Sequence, residues 1–412
     1  MARTKAFKLN RIILGALISV LLSGSNVNSY AQNSVKRLPF RMTNNLIILS
    51  ARINGSDTLN FILDTGLKNS ILCELSAGET LELEEAREIR VQGLGVGVAA
   101  EAIHSTGNVL ELGGMSFPDQ DFVVLSNNIL QLSNKMGTRI HGLLSMQAFY
   151  DYVVEIDYDR RYISIIPPGL FKDPGKEKFS SLPLHIESGK PFLVVRVTTH
   201  DGLSFPVKLL LDSGASNAIW LDINSLEGFV IPENARHCHL GCGISGDVQG
   251  LMSRVERVDI GPHSLSEVLV SYPDSLAIAN KDQVPGRNGS LGSEIIKRFD
   301  VILDFPGRKI HLNPNRDFSR KFHYDMSGIE VMAEVPDQPA YIISRVREGS
   351  AAQLAGVRAG DRIMSINSTP VHEYSMDGIY RKLEGAEGKK VRLIVLRGDE
   401  KLKLSFQLEE YI

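Results

Sequence analysis

Two acids stand in matching surroundings. Phe61-Ile62-Leu63-Asp64-Thr65-Gly66 and Leu209-Leu210-Leu211-Asp212-Ser213-Gly214 each run an apolar stretch into an aspartate, a hydroxyl residue and a glycine. The apolar run reads as a buried strand, and the glycine permits a tight turn after it. One such junction is an ordinary strand end. Two in one chain suggest two carboxylates delivered to one place. At close range both cannot ionise comfortably, so they share a proton. The ionised partner can take a proton from a water while the protonated partner donates to the group under attack. That chemistry calls for no metal, no cofactor and no covalent intermediate.

Positioning two such loops requires two copies of one scaffold, and the sequence repeats itself accordingly. Asp64 and Asp212 are 148 residues apart. Gly93-Leu94-Gly95 shifts by 148 onto Gly241-Cys242-Gly243, and Leu112-Gly113 onto Ile260-Gly261. Asp157-Tyr158 meets Asp304-Phe305 at 147. Ordered matches at one offset indicate an internal duplication. Runs such as Leu46-Ile47-Ile48-Leu49 and Phe122-Val123-Val124-Leu125 read as strands, and Asn54-Gly55 as a hairpin turn. Helical periodicity is scarce, with one helix expected within 75–89. The reading is mainly β: a first lobe at 38–167, a Pro/Gly/Lys-rich linker at 168–181 and a second lobe at 182–313. A charged connector then leads to a third unit at 327–412, with helices expected at 349–357 and 376–383.

The 412 residues are 43% apolar and 23% charged, which is globular material. Residues 1–31 stand apart. Arg3, Lys5, Lys8 and Arg11 precede an apolar run from 12 to 22, and Ser29-Tyr30-Ala31 offers a cleavage site. This is the anatomy of an export signal, and the apolar run is shorter than the ~20 residues of a membrane span. The expectation is an exported chain, periplasmic or secreted, touching a membrane only if the segment stays. Its loss removes four positive charges from a chain already at −3, which argues against nucleic acid as a partner. Three cysteines, Cys73, Cys238 and Cys242, are too few for a disulfide framework. A local Cys238–Cys242 bond is favoured over zinc held by His237-Cys238-His239, with free thiols as the third option; Cys73 reads as core.

The duplicated motif resembles the active-site signature of aspartic peptidases of the pepsin and retropepsin kind, over about 38–313. Ile140-His141-Gly142-Leu143-Leu144-Ser145 and Asn288-Gly289-Ser290-Leu291-Gly292 resemble the family's element behind each catalytic loop. The resemblance implies a bilobal pseudo-two-fold unit. Asp64 and Asp212 are its catalytic pair, and Thr65 and Ser213 bond across the lobe junction beside Gly66 and Gly214. Gly93, Gly95, Gly241 and Gly243 fall in hairpin flaps over the cleft. A polypeptide is the implied substrate, and since both acids come from one chain a monomer suffices. Leu67 and Lys68 are bulky where the family keeps small residues, and a Lys68 ammonium beside the pair would favour ionised carboxylates. A catalytically inactive peptide-binding scaffold is the alternative. The third unit resembles a PDZ domain of the kind attached to bacterial envelope proteases, through Gly349-Ser350-Ala351-Ala352 and Ala355-Gly356-Val357-Arg358-Ala359-Gly360-Asp361. PDZ domains add a peptide to a sheet edge. The resemblance puts the binding loop at Pro339, Ala340, Tyr341 and Ile342.

Overall fold

A computed structural model describes residues 34–412 apart from 76–77, 80 and 280–283. The export-signal expectation for 1–31 lies outside the described residues. Eleven strands build the first lobe: β1 (Lys36–Pro39), β2 (Arg41–Thr43), β3 (Leu46–Ile53), β4 (Leu59–Asp64), β5 (Ser70–Leu72), β6 (Arg87–Val91), β7 (Ala100–Leu112), β8 (Met115–Leu125), β9 (Gly142–Ser145), β10 (Val153–Asp157) and β11 (Tyr162–Ile166), with α1 (Leu132–Met136) before β9. The second lobe has β12 (Ser180–Pro183), β13 (His185–Glu187), β14 (Lys190–Thr198), β15 (Ser204–Asp212), β16 (Ile219–Leu221), β17 (Arg236–Gly243), β18 (Gly246–Ile260), β19 (His263–Pro273), β20 (Arg287–Gly292), β21 (Phe299–Asp304) and β22 (Lys309–Pro314), with α2 (Ser293–Ile296) after β20. The described part of 75–89 holds no helix, and its end enters β6, whose half-exposed pattern is that of an edge strand.

The sheet orders β2-β3-β4-β9-β5-β8-β7-β6 and β13-β14-β15-β20-β16-β19-β18-β17 are the same order twice. The β3–β7 and β14–β18 pairings close each into a six-strand barrel, which leaves no open edge in the ring. Apolar residues alternate inward along β3 and β14, and one continuous core runs through both lobes. A third sheet, β1-β11-β10-β21-β22-β12, joins the lobes. Its central pair, β10 against β21, puts one strand from each lobe side by side, from Val153↔Asp304 to Ile156↔Val301. The pseudo-two-fold passes there.

The duplication extends to close contacts. β4 runs parallel to β9, and β15 to β20, so each aspartate strand is backed by the second motif. A glycine in each backing strand permits this. A Cβ on Gly142 would lie 1.9 Å from the Ile71 carbonyl oxygen, and one on Gly289 1.8 Å from that of Trp220.

The third unit holds β23 (Ile329–Ala333), β24 (Tyr341–Val346), α3 (Ala351–Leu354), β25 (Arg362–Ile366), β26 (Thr369–Pro370), α4 (Met376–Leu383), β27 (Lys390–Arg397) and β28 (Glu400–Gln407), around its own core. Ser350 and Ser375 cap the two helices, each accepting a backbone N–H from the first turn. Among the described residues no helix is long and apolar enough to cross a membrane.

Gly142→Ala should destabilise the fold by about 3 kcal/mol, the upper range for overpacking. Gly169→Ala, where a Cβ meets nothing, should stay within about 0.5 kcal/mol. Urea unfolding measures both, and equal midpoints would remove the role given to Gly142.

Candidate active site

β4 and β15 end on Asp64 and Asp212, and their loops meet on the pseudo-two-fold. The lock between them is reciprocal. The Thr65 N–H donates to Ser213 Oγ at 3.1 Å, and the Ser213 N–H to Thr65 Oγ1 at 2.9 Å. Each hydroxyl then donates onward to a carbonyl of the opposite strand, Thr65 to Leu211 and Ser213 to Leu63 at 2.8 Å. Both residues are buried, so this exchange satisfies donors and acceptors that water cannot reach.

The lock sets each carboxylate against the other loop's glycine. A Cβ on Gly66 would lie 3.0 Å from Asp212 Cγ, and one on Gly214 2.3 Å from Asp64 Cγ. The same glycines donate their own N–H groups within the loop, Gly66 to Asp64 Oδ1 at 2.7 Å and Gly214 to Asp212 Oδ1 at 3.1 Å. Burial first, and then the Asp212 charge, push Asp64 from 3.8 up to about 8. Burial also raises Asp212, against the opposing charges of Arg287 and Lys190 and the Gly214 amide. The two titrate as a pair, so the held proton belongs to both.

Lys190 acts on both acids and Arg287 on Asp212. Lys68 is exposed, and its stem lies against Gly189, whose added Cβ would be 3.6 Å from Lys68 Cγ. The expectation that Lys68 charges the pair is thus replaced by Lys190, at the start of β14. Leu67 is half-buried and packs against the cluster that holds Ile71 and Cys73.

Other supports come in matched pairs. Ser145 Oγ donates to the Leu67 and Lys68 carbonyls at 2.9 Å, and Ser293 Oγ to the Ser213 carbonyl at 2.8 Å. Asn45, in the β2–β3 turn, crosses to the second lobe and donates to the Ser216 carbonyl at 3.0 Å. The 148 spacing of Ser145 and Ser293 stood in the sequence. The roles of Asn45, Lys190 and Arg287 had no local signal.

The flaps meet above the pair. Gly97 N–H donates to the Ser245 carbonyl at 2.6 Å, Ser245 N–H to Leu94 at 2.9 Å, and Gly93 N–H to Ser245 Oγ at 3.1 Å. Gly95, at φ +112°, would put a Cβ 2.5 Å from Ser245 backbone, and Gly243 one 2.3 Å from the Leu94 oxygen. Gly241, at φ +136°, sits at the register shift of β17. Beneath lies a cavity of about 70 Å³ reaching Leu94, Asp212, Trp220, Ile278 and Arg287.

Two expectations are corrected. All three cysteines are free thiols. Cys238 and Cys242 lie on the single strand β17, where four residues span about 13 Å, beyond the ~7 Å reach of a disulfide. Among the described residues no three His, Cys, Asp or Glu side chains gather to hold a metal. The quartet Pro339, Ala340, Tyr341 and Ile342 offers no open edge. Tyr341 and Ile342 pair with Ala333 and Met332 on one side and with Ile363 and Arg362 on the other. The Ala340 N–H is bonded to Gln338, and its carbonyl to Glu334.

Residues 49–148 match the aspartyl protease family, and residues 342–397 match the PDZ domain family. A protein named as serine protease HhoA, from Synechocystis sp., is 34% identical over 74 residues, which is 18% of this chain and 18% of that protein.

Raised carboxyl values have a consequence for stability. Below about pH 4 Asp64 is protonated in folded and unfolded chains alike. Between there and about 8 the unfolded chain ionises it freely and the folded chain resists. Its contribution to stability therefore declines with rising pH across that window. Asp64→Asn should be more stable than the parent at pH 7 and equal to it at pH 3. Parallel urea midpoints across the range would contradict this.

Closed barrels related by a pseudo-two-fold, with paired Asp-(Thr/Ser)-Gly loops at their junction, agree with the family matches: the chain carries an aspartyl-protease fold of two lobes, followed by a PDZ domain.

Proposed function

We propose that the chain is an aspartic-type endopeptidase, hydrolysing peptide bonds with a water activated between Asp64 and Asp212, and that its PDZ domain binds polypeptide. The observation that carries this reading is the position of each carboxylate against the other loop's glycine, with Asp64 raised to about 8 by burial and by Asp212. Such a pair holds one proton over a wide pH range. The ionised oxygen takes a proton from the water as that water attacks the scissile carbonyl. The protonated partner donates to the oxygen on which charge develops. Collapse of the tetrahedral species returns a proton to the leaving amine. Amides of Gly66 and Gly214 hold the carboxylates in place through these transfers. The bonded flap tips must part for an extended chain to enter, and their glycines supply the freedom to do so.

The short match to a serine protease covers too little of either chain to carry a catalytic type. A single chain supplies both acids, which supports action as a monomer. The basic-then-apolar opening of the sequence supports export.

Cleavage of an unstructured peptide library should be blocked by a statine-type transition-state analogue and lost in both Asp64→Asn and Asp212→Asn. Cleavage that survives both substitutions would overturn the assignment. A wild-type protein that binds the analogue yet cleaves nothing would identify the non-catalytic scaffold instead.

Activity should extend towards neutrality and fall as pH rises through about 8, where the shared proton is lost. Lys190 lowers both carboxyls. Lys190→Met should therefore move the alkaline limb of kcat/KM to higher pH, and an unmoved or lowered limb would exclude Lys190 from the pair's electrostatics.

A further inference from the structure

The PDZ sheet ends in two outer strands, β23 and β28. β28 carries Glu400, Lys401 and Lys403, and charge of this kind discourages strand addition. β23 is apolar apart from Glu330. Val331 and Ala333, two residues apart, direct their carbonyls the same way. Neither carbonyl is left to solvent: Val331 accepts from Tyr380 Oη of α4 at 3.1 Å, and Ala333 from Asn134 Nδ2 at 2.9 Å. Asn134 belongs to α1 of the first lobe. One side chain of the domain's own α4 and one of the first lobe thus close the sheet edge of the PDZ domain.

The surrounding contacts make this a docking site. Thr138 Oγ1 donates to Asp337 Oδ1 at 2.7 Å, and the Arg139 N–H to the same carboxylate at 3.2 Å. The Asp337 N–H donates to the Gly137 carbonyl at 3.3 Å, and the Asn44 N–H to Asp377 Oδ1 at 3.1 Å. The seam is incompletely filled, with a cavity of about 480 Å³ between Met42, Met136, Tyr341 and Met376.

The same strand reaches the second flap. Glu330 Oε1 lies 2.9 Å from His239 Nδ1 on β17, and His239 Nε2 is 3.4 Å from Asp247 on β18. Arg345 of β24 closes the ring, 2.8 Å from Asp247 and 3.5 Å from Glu330. β17 and β18 are the two arms of the flap whose tip, Ile244-Ser245, meets the first flap. Two PDZ residues therefore hold the arms of a hairpin that covers the aspartates.

PDZ domains take up an extended polypeptide by strand addition, and β23 is the less charged of the two outer strands. We propose that polypeptide addition there competes with docking on the first lobe, and that undocking releases the second flap. An added strand brings backbone N–H groups to the carbonyls of Val331 and Ala333, so the Tyr380 hydroxyl must swing aside within the domain and Asn134 of the first lobe must leave. Once the domain leaves the lobe, Glu330 and Arg345 leave His239 and Asp247. The competition rests on the polypeptide-binding reading of the PDZ domain and any effect on cleavage on the peptidase reading; the flap release rests on neither.

The test uses full-length protein carrying Asp212→Asn, so that cleavage plays no part in the readout. Thr138→Cys with Asp337→Cys puts two thiols where a 2.7 Å contact now stands, so oxidation locks the docked state and reductant frees it. The probe is reduced, carboxymethylated α-lactalbumin, a permanently unfolded polypeptide, and the readout is amide hydrogen exchange. The reduced form should exchange at least tenfold faster than the oxidised form at 239–247. The probe should protect 329–333 in the reduced form and leave the oxidised form unchanged. Asn134→Ala with Asp337→Ala should behave as the reduced form. Protection of 329–333 in both forms, or in neither, overturns the competition. Equal exchange at 239–247 in locked and freed protein overturns the link to the flap.

Discussion

Everything at the candidate site depends on holding two like charges together. Left to themselves, two carboxylates repel, and burial makes each costlier to ionise. The Thr65–Ser213 exchange opposes this with four hydrogen bonds between buried partners. Each bond crosses from one lobe to the other, so the lobes cannot separate without stranding donors and acceptors. The six-stranded sheet beneath adds the β10–β21 pairing at the same axis. A shared proton answers the repulsion that remains, so the chemistry proposed for the pair and the strain placed on it have one origin.

The two halves solve the same problem with the same parts. Ser145 and Ser293 brace the aspartate loops, and Gly142 and Gly289 let the backing strands approach. The Asn44-Asn45 and Ser188-Gly189 turns, each with two left-handed residues, face the opposite lobe's aspartate loop. The halves differ in charge. Arg139 and Arg287 stand 148 apart, yet Arg139 pairs with Glu74 while Arg287 acts on Asp212. Lys190 opens β14, where β3 opens with Leu46. A symmetric scaffold thus carries an asymmetric field, which suits the different tasks proposed for the two acids.

The PDZ domain is more than an appendage in this arrangement. Its own core makes it a separate folding unit, yet β23 is shared between its sheet, α1 of the first lobe and the second flap. Contacts as polar as these between domains suit a reversible association.

The sequence by itself determined the duplication, the paired aspartates, the hydroxyl residues beside them and the nature of the third unit. These are legible because each rests on local chemistry repeated at a fixed offset: an apolar strand, an acid, a turn that only a small residue can make. The lock between Thr65 and Ser213 came from family resemblance, and the structure supplied its partners. Tertiary structure alone decided which charges reach the pair. Lys68 is four residues from Asp64 and lies exposed against Gly189, whereas Lys190 is 126 residues from Asp64 in the chain and acts on both acids. It also decided that Cys238 and Cys242 stay apart on one strand and that Tyr341 and Ile342 are paired on both sides. The physical reason is the same in each case. Sequence spacing fixes which residues share a strand or turn, but charge, thiol reach and free edges depend on which strands the closed barrels and the docked domain place side by side.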